Sequence, residues 1–202
     1  IETDAANTQH YELPPRFFEL VLGPHLKYSG AWWPDGVETL EEAERRMLDL
    51  TTERAQVEDG HRILELGCGW GSLTLHLARR FPASRIVAVS NSAPQRGFIT
   101  AKAAAEGLTN VEVITADINV FDTSDEFDRI VSVEMLEHVR NHAALFSRIA
   151  RWLAPGGRCF AHVFAHRRFA YPYEVRSASD WMARYFFTGG MMPSDDLFLH
   201  TQ

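Results

Sequence analysis

Glu134, Glu137 and His138 crowd into the stretch SVEMLEH at residues 132–138. Carboxylates so placed can draw in a protonated amine, and an imidazole has the ionisation range to take its proton near neutrality. The stretch follows the apolar, β-branched run FDRIV, so it falls at the carboxyl end of a predicted strand. Open α/β sheets bind their ligands at that edge. Taken alone, the same residues could simply start a helix, with a glutamate as cap partner and the histidine in solvent. What decides between the two readings is the company the stretch keeps.

A second chemical feature lies upstream, in ILELGCGWGSLTLHLARRF at residues 63–81. Glycines at 67, 69 and 71 separate an apolar run from an amphipathic helical pattern. A bare turn of this kind lets backbone amides at a helix N-terminus approach a negative group closely. The spacing is not the GxGxxG of dinucleotide sites, and Glu65 just ahead of it would repel a diphosphate. The ligand therefore carries positive charge as well as negative. S-adenosylmethionine fits: its carboxylate can meet backbone amides, and its ammonium and sulfonium favour nearby carboxylates such as Glu65. A purely structural tight turn is the plainer alternative.

These features need elements to hold them. From residue 61 the chain alternates apolar runs (RILEL, RIVAVS, VEVITA, FDRIVSV, GRCFAHVF) with helical stretches starting at Ser72, at Pro94 and after Asn141, which is the βαβ pattern of a parallel sheet. LAPGG is expected to close the third of those helices. The chain is thus predicted to be α/β, a Rossmann-like sheet of five or more strands flanked by helices over residues 56–165. Residues 1–55 read as a helical cap over the ligand, built from PPRFFELVLG and ETLEEAERRMLDLTTERAQ around the aromatic loop KYSGAWWPDG. Residues 166–202 read as an aromatic lid or substrate segment with no clean period.

Composition narrows the partners. The 202 residues, 46% hydrophobic and 23% charged, suit one compact core. A net charge of −7 argues against nucleic acid. The 2 cysteines are too few for a disulfide framework, and a reducing compartment, the cytoplasm, is expected. No stretch approaches the ~20 apolar residues of a membrane span, and the N-terminal IETDAANTQ lacks signal-peptide character. No metal is expected either: His162 and His166 in a strand would stand ~13 Å apart, and no cysteine pair or HExxH supports His138 with His142. The arginines of AHRRF could meet an anion or simply face water. Trp32, Trp33, Phe164, Phe169, Tyr171, Tyr173 and Trp181 are candidates for an aromatic substrate pocket or ordinary core.

Several of these motifs, with HYELPPRFFELVLGPHLKYS, VSNSAPQRGFI, FDRIVSVEMLEHVRNH, FAHVFAHRRFAYPYE and DWMARYFFTGGMMPS, resemble the S-adenosylmethionine-dependent methyltransferases of the cyclopropane-fatty-acid-synthase type, and within them the plant coclaurine N-methyltransferases. The resemblance covers nearly the whole chain. It implies the class I methyltransferase fold, a methionine end of the cofactor held by Tyr11, Tyr28 and Ser29 over Gly67–Gly71, a ribose held by Gln95 beside Ser90 and Asn91, and an adenine met by Asp117 and Ile118. It assigns Glu134, Glu137 and His138 to catalysis and implies a small-molecule amine as acceptor; Trp33, His162, Phe164, Tyr173 and Trp181 are the candidates for the acceptor's pocket. It also implies that the family's fold continues beyond this stretch. Lipid cyclopropanation is the rival activity, and a cofactor-binding module without catalysis is a third reading. The lipid enzymes use a bicarbonate site built partly from a Cys in YSC, the EH glutamate, and a His and an Ile of the fifth strand. This chain keeps Glu137 and His162 but has Gly30 and Phe164 at the other two positions.

Overall fold

In the computed structural model, which describes residues 13–185 and 187–200, the alternating runs form β1 (Arg62–Leu66), α3 (Ser72–Arg80), β2 (Arg85–Ser90), α4 (Ala93–Ala105), β3 (Val111–Thr115), β4 (Phe127–Val133), α5 (His142–Trp152) and β5 (Leu153–His162), preceded by α1 (Pro15–Val21) and α2 (Leu40–Arg54). All neighbouring strands pair in parallel, in the order β3-β2-β1-β4-β5. The order reverses direction between β1 and β4, and that switch point opens a crevice at the carboxyl ends of the strands. Both stretches singled out by their chemistry flank it.

Strand residues alternate between two buried faces. Leu64, Val87 and Ile130 pack with Leu145, Ile149 and Trp152 of α5, while Ile63, Ile86 and Val131 pack with Leu48 of α2 and Leu73 and Leu77 of α3. A third cluster seats Ile99 and Ala103 of α4 on Ala88 and Val113. Helices therefore cover both faces, which is why the strands read as near-continuous apolar runs. Helix starts follow from local chemistry: the side chains of Thr39, Ser92 and Asn141 accept from the amides of Glu42, Gln95 and Ala144. Among the described residues no helix is long and apolar enough to cross a membrane.

One boundary differs from the sequence expectation. LAPGG does not form a loop after α5; the helix stops at Trp152 and Leu153 already pairs with Phe127 as the first residue of β5, with a register shift before Arg129 pairs with Arg158. Gly157 permits this, because a Cβ there would lie 2.8 Å from the Phe127 carbonyl oxygen and 2.9 Å from that of Ala154. Beyond β5 the aromatic segment contains a short antiparallel pair, β6 (Tyr171–Pro172) with β7 (Met191–Met192), around the five-residue helix α6 (Trp181–Tyr185).

Two glycines near the crevice should respond oppositely to a methyl group. Gly71 has φ +83° and an added Cβ would meet Ile99 Cγ1 at 2.7 Å, whereas Gly97, inside α4, has open space around it. We expect Gly71→Ala to lower the unfolding free energy by about 1–3 kcal/mol and Gly97→Ala to raise it by about 0.5–1 kcal/mol, read from urea midpoints. Equal effects at the two sites would contradict the packing described.

Candidate functional site

The crevice holds a cavity of about 200 Å³. Its floor is the turn after β1, where Gly67 and Cys68 both donate to the Val89 carbonyl, binding the turn to β2 at 3.0 and 3.1 Å. At Gly69, φ is +52° and nothing lies within 4 Å of where a side chain would begin. That glycine leaves the turn's backbone open to the cavity, as close ligand approach requires.

Of the residues expected at a cofactor, Tyr28, Ser29, Glu65, Gly67, Gly69, Ser90, Asn91, Gln95, Asp117 and Ile118 line this one cavity. Gly71, the N-cap of α3, is not among the residues lining it. Tyr11 lies outside the described residues. The second strand's end is organised by side chains: Ser90 Oγ donates to Gln95 Oε1 at 2.6 Å, which fixes the amide so that Nε2 is the buried atom without a partner. Trp70 Nε1 and Ser72 Oγ, also on cavity-lining residues, are buried and unpartnered too. Unsatisfied buried donors are rare in native proteins, and three around one cavity suit a ligand rich in acceptor oxygens. Asp117 Oδ1 accepts from the backbone and side-chain amides of Asn119 at 2.8 and 2.7 Å, which holds the carboxylate at the cavity's far end.

Glu65 is fully buried. Its Oε2 accepts from Thr74 Oγ1 at 2.5 Å, yet burial outweighs that bond and pushes its pKa up to about 7.

The three candidate catalytic residues part company. Glu134 and His138 line the cavity; Glu137 does not. Glu134 adopts φ +51°, a left-handed conformation that costs a non-glycine residue on the order of 1 kcal/mol or more. Its amide donates to the His162 carbonyl at 2.8 Å and its Oε1 accepts from the Gly30 amide at 3.4 Å, so the strained residue bridges β5 and the segment after α1. The His138 ring lies 5.2 Å from that of Phe187, which with Phe164 forms the apolar wall beside it. Glu137 is fully buried behind this wall: Oε1 accepts from the Phe164 amide at 2.9 Å, Oε2 has no partner, and burial raises its pKa to about 7.

The expected substrate residues are dispersed. Phe164 lines the cavity, and Tyr173 stacks on Phe187 at 5.2 Å and 18°. His162 faces a neighbouring cavity of about 280 Å³ between α2 and β5. Trp33 and Trp181 are 53% and 55% exposed. His142 Nε2 sits 2.9 Å from the Leu136 carbonyl oxygen, and among the described residues no cluster of His, Cys, Asp and Glu could hold a metal ion. Sequence reasoning missed Lys27, Trp70 and Phe187, all on the cavity wall. Each sits inside or beside a motif already noted, but a lone lysine reads as solvated and a lone aromatic as core.

Comparison with known proteins identifies the family and the fold. A family model described as mycolic acid cyclopropane synthetase matches residues 2–200. The (S)-coclaurine N-methyltransferase of Thalictrum flavum subsp. glaucum is 41% identical over 100% of this chain and 56% of its own length. The cyclopropane-fatty-acyl-phospholipid synthase of Escherichia coli K12 is 35% identical over 92% of this chain and 46% of its own. A crystal structure of a coclaurine N-methyltransferase bound to N-methylheliamine and SAH superposes with a TM-score of 0.93 at 39% identity, covering 98% of this chain and 58% of that one. The chain thus spans about half the length of these relatives.

The elevated pKa of Glu65 has a measurable consequence. Its carboxyl binds its proton more tightly folded, at about 7, than at its ordinary 4.5, so its contribution to stability falls as pH rises through that window. His76, His142 and His162, lowered mainly by burial, act in the opposite sense. Comparison with Glu65→Gln isolates the carboxyl: relative to that variant, the parent should lose on the order of 3 kcal/mol between pH 4.5 and 8 in urea unfolding. A pH-independent difference would show that Glu65 is not held protonated.

Proposed function

This chain belongs to the mycolic acid cyclopropane synthetase family, and from that premise we propose that it is an S-adenosylmethionine-dependent methyltransferase acting on an amine nitrogen of a small molecule. The observation that carries the reading is the pairing, across one cavity, of three unpartnered buried donors with Glu134 and His138. The fit to the cofactor is chemical. Gln95 Nε2 can donate to ribose hydroxyls, Asp117 can accept from an adenine amino group, and Ile118 offers an apolar contact to the ring. Tyr28, Ser29 and the Gly67–Gly71 turn would hold the methionine end. Residues 1–55 serve as the cap and residues 166–202 as the lid of this scheme, with the cytoplasm as its compartment.

Bound here, the cofactor supplies a methyl carbon activated by its sulfonium. The protein's own share is positioning and proton handling. Glu134 attracts the acceptor's ammonium, and His138 takes the proton that must leave before nitrogen can offer a lone pair. Phe164 and Phe187 exclude water beside the imidazole. Glu137 acts from behind the wall: accepting from the Phe164 amide, it fixes where β5 hands over to the lid.

Lipid cyclopropanation is disfavoured by the same corner. At Gly30 nothing lies within 4 Å of the Cβ position, so no side chain stands where the lipid enzymes place a cysteine. One Glu137 oxygen is already engaged by Phe164. Turnover of an amine panel and of oleoyl phospholipid, each with labelled S-adenosylmethionine and with or without bicarbonate, tests the choice. Amine methylation independent of bicarbonate is expected, and methylene transfer to lipid with silence on every amine would overturn it.

Two substitutions sharpen the assignment. His138→Ala should lower kcat by about 10²-fold or more while leaving cofactor affinity nearly unchanged, and the parent's activity should rise with pH as the amine deprotonates. Gln95→Ala should weaken cofactor binding by about 1–2 kcal/mol in calorimetry and spare the chemistry.

A further inference from the structure

One charged group on the cavity wall has no part in that scheme. Lys27 is 6% exposed, although a lysine on a loop between helices ordinarily extends its ammonium into water. Among the described residues its hydrogen-bond partner is Ser29 Oγ, while Glu134 and Glu44 act on it only through space. Burial lowers its pKa and those two carboxylates oppose the shift.

The loop that carries it is built to keep it there. Leu26, buried against Phe18 and Trp70, takes the left-handed conformation at φ +52°. The His25 amide donates to Oε2 of the buried Glu44 at 3.0 Å, and Gly23 packs so closely on that carboxylate that a Cβ would lie 2.5 Å from it. A strained, buried, doubly anchored loop is a strong constraint for turning one lysine inward. Among the described residues this desolvated ammonium has a hydroxyl as its hydrogen-bond partner and two carboxylates acting only through space, which leaves a direct anionic contact to be made by a ligand.

The anion's chemistry is limited by what else lines the cavity. Lys27 shares its wall with Tyr28, Ser29 and the glycine turn, and is the sole lysine or arginine among the described residues there. An acceptor amine brings positive charge and is repelled by it. We propose that Lys27 is the cation that binds the α-carboxylate of the cofactor's amino-acid end, an assignment that rests on the cofactor reading above. Neutralising Lys27 in this way also frees Glu134 to attract the acceptor.

Calorimetry on the intact protein tests this with two probes, S-adenosylmethionine and its decarboxylated analogue, which keeps the sulfonium and the amine but lacks the carboxylate. Wild type should prefer S-adenosylmethionine, and Lys27→Met should weaken that ligand between about tenfold and a hundredfold while leaving the analogue within about threefold. Lys27→Arg should recover part of the loss. Thermal midpoints check folding, and Lys27→Met is expected to match or exceed wild type because it removes a desolvated charge. Equal weakening of both probes, or no weakening of either, overturns the assignment. So does an unchanged affinity with a shifted kcat–pH profile, which would make Lys27 a partner of Glu134 instead. Wild-type protein that binds neither probe overturns the cofactor reading, and this assignment with it.

Discussion

The site depends on how closely the turn after β1 approaches the corner after β4. Gly67 lacks the Cβ that would lie 2.5 Å from Met135 Cγ, so Met135 can pack directly on the turn. Met135 follows Glu134, whose left-handed backbone makes the corner. Ser132 Oγ adds a bond to the Leu66 carbonyl at 3.0 Å, locking the two strands at the point where they diverge. The cavity's floor and the wall bearing Glu134 and His138 are thus one rigid unit. In the proposed reaction, shifting either strand would move the bound ligand and the proposed catalytic groups together, as in-line transfer demands.

Electrostatics in the cavity follow from burial more than from pairing. Burial pushes Glu65 and Glu137 up to about 7 and pushes Lys27 down. The formal charge of Glu65 therefore overstates the negative field a ligand meets. A cavity of this kind suits a ligand with both signs of charge, because strong negative or positive potential would favour one end and expel the other.

Sequence made the frame legible because its signals are local. Glycines at 67, 69 and 71 between an apolar run and a helix can mean few things, and alternating strand and helix periods prescribe a parallel sheet. The Glu134–His138 cluster was visible for the same reason. What escaped depends on the third dimension. LAPGG carries turn residues, yet the pull of Phe127 on Leu153 and the bare Cα of Gly157 draw it into β5. Glu137 and His138 are adjacent in sequence, but a 3-10 turn at Leu136–His138 sends them to opposite sides of the wall. The inward turn of Lys27 follows from Glu44, 17 positions away and itself buried inside α2. No period or motif carries that information.

Glu137 illustrates how a residue outside the cavity can still shape its wall. Its Oε1 holds the Phe164 amide, and a Cβ on Gly190 would lie 2.7 Å from its carbonyl oxygen, so the start and the end of the aromatic segment converge on one residue. Between them the segment places Phe187 against His138 on one face and Tyr173 on the other. Burial raises the pKa of Tyr173 to about 12, with lesser contributions from Tyr171 and Glu137. Glu137 is thus linked to the imidazole's apolar neighbour through Phe164, whose ring lies 5.1 Å from that of Phe187. Under the proposed function, losing that carboxyl would act on proton transfer through Phe164 and Phe187 rather than by removing a base, which would separate the two members of the EH pair by mechanism although they are neighbours in the chain.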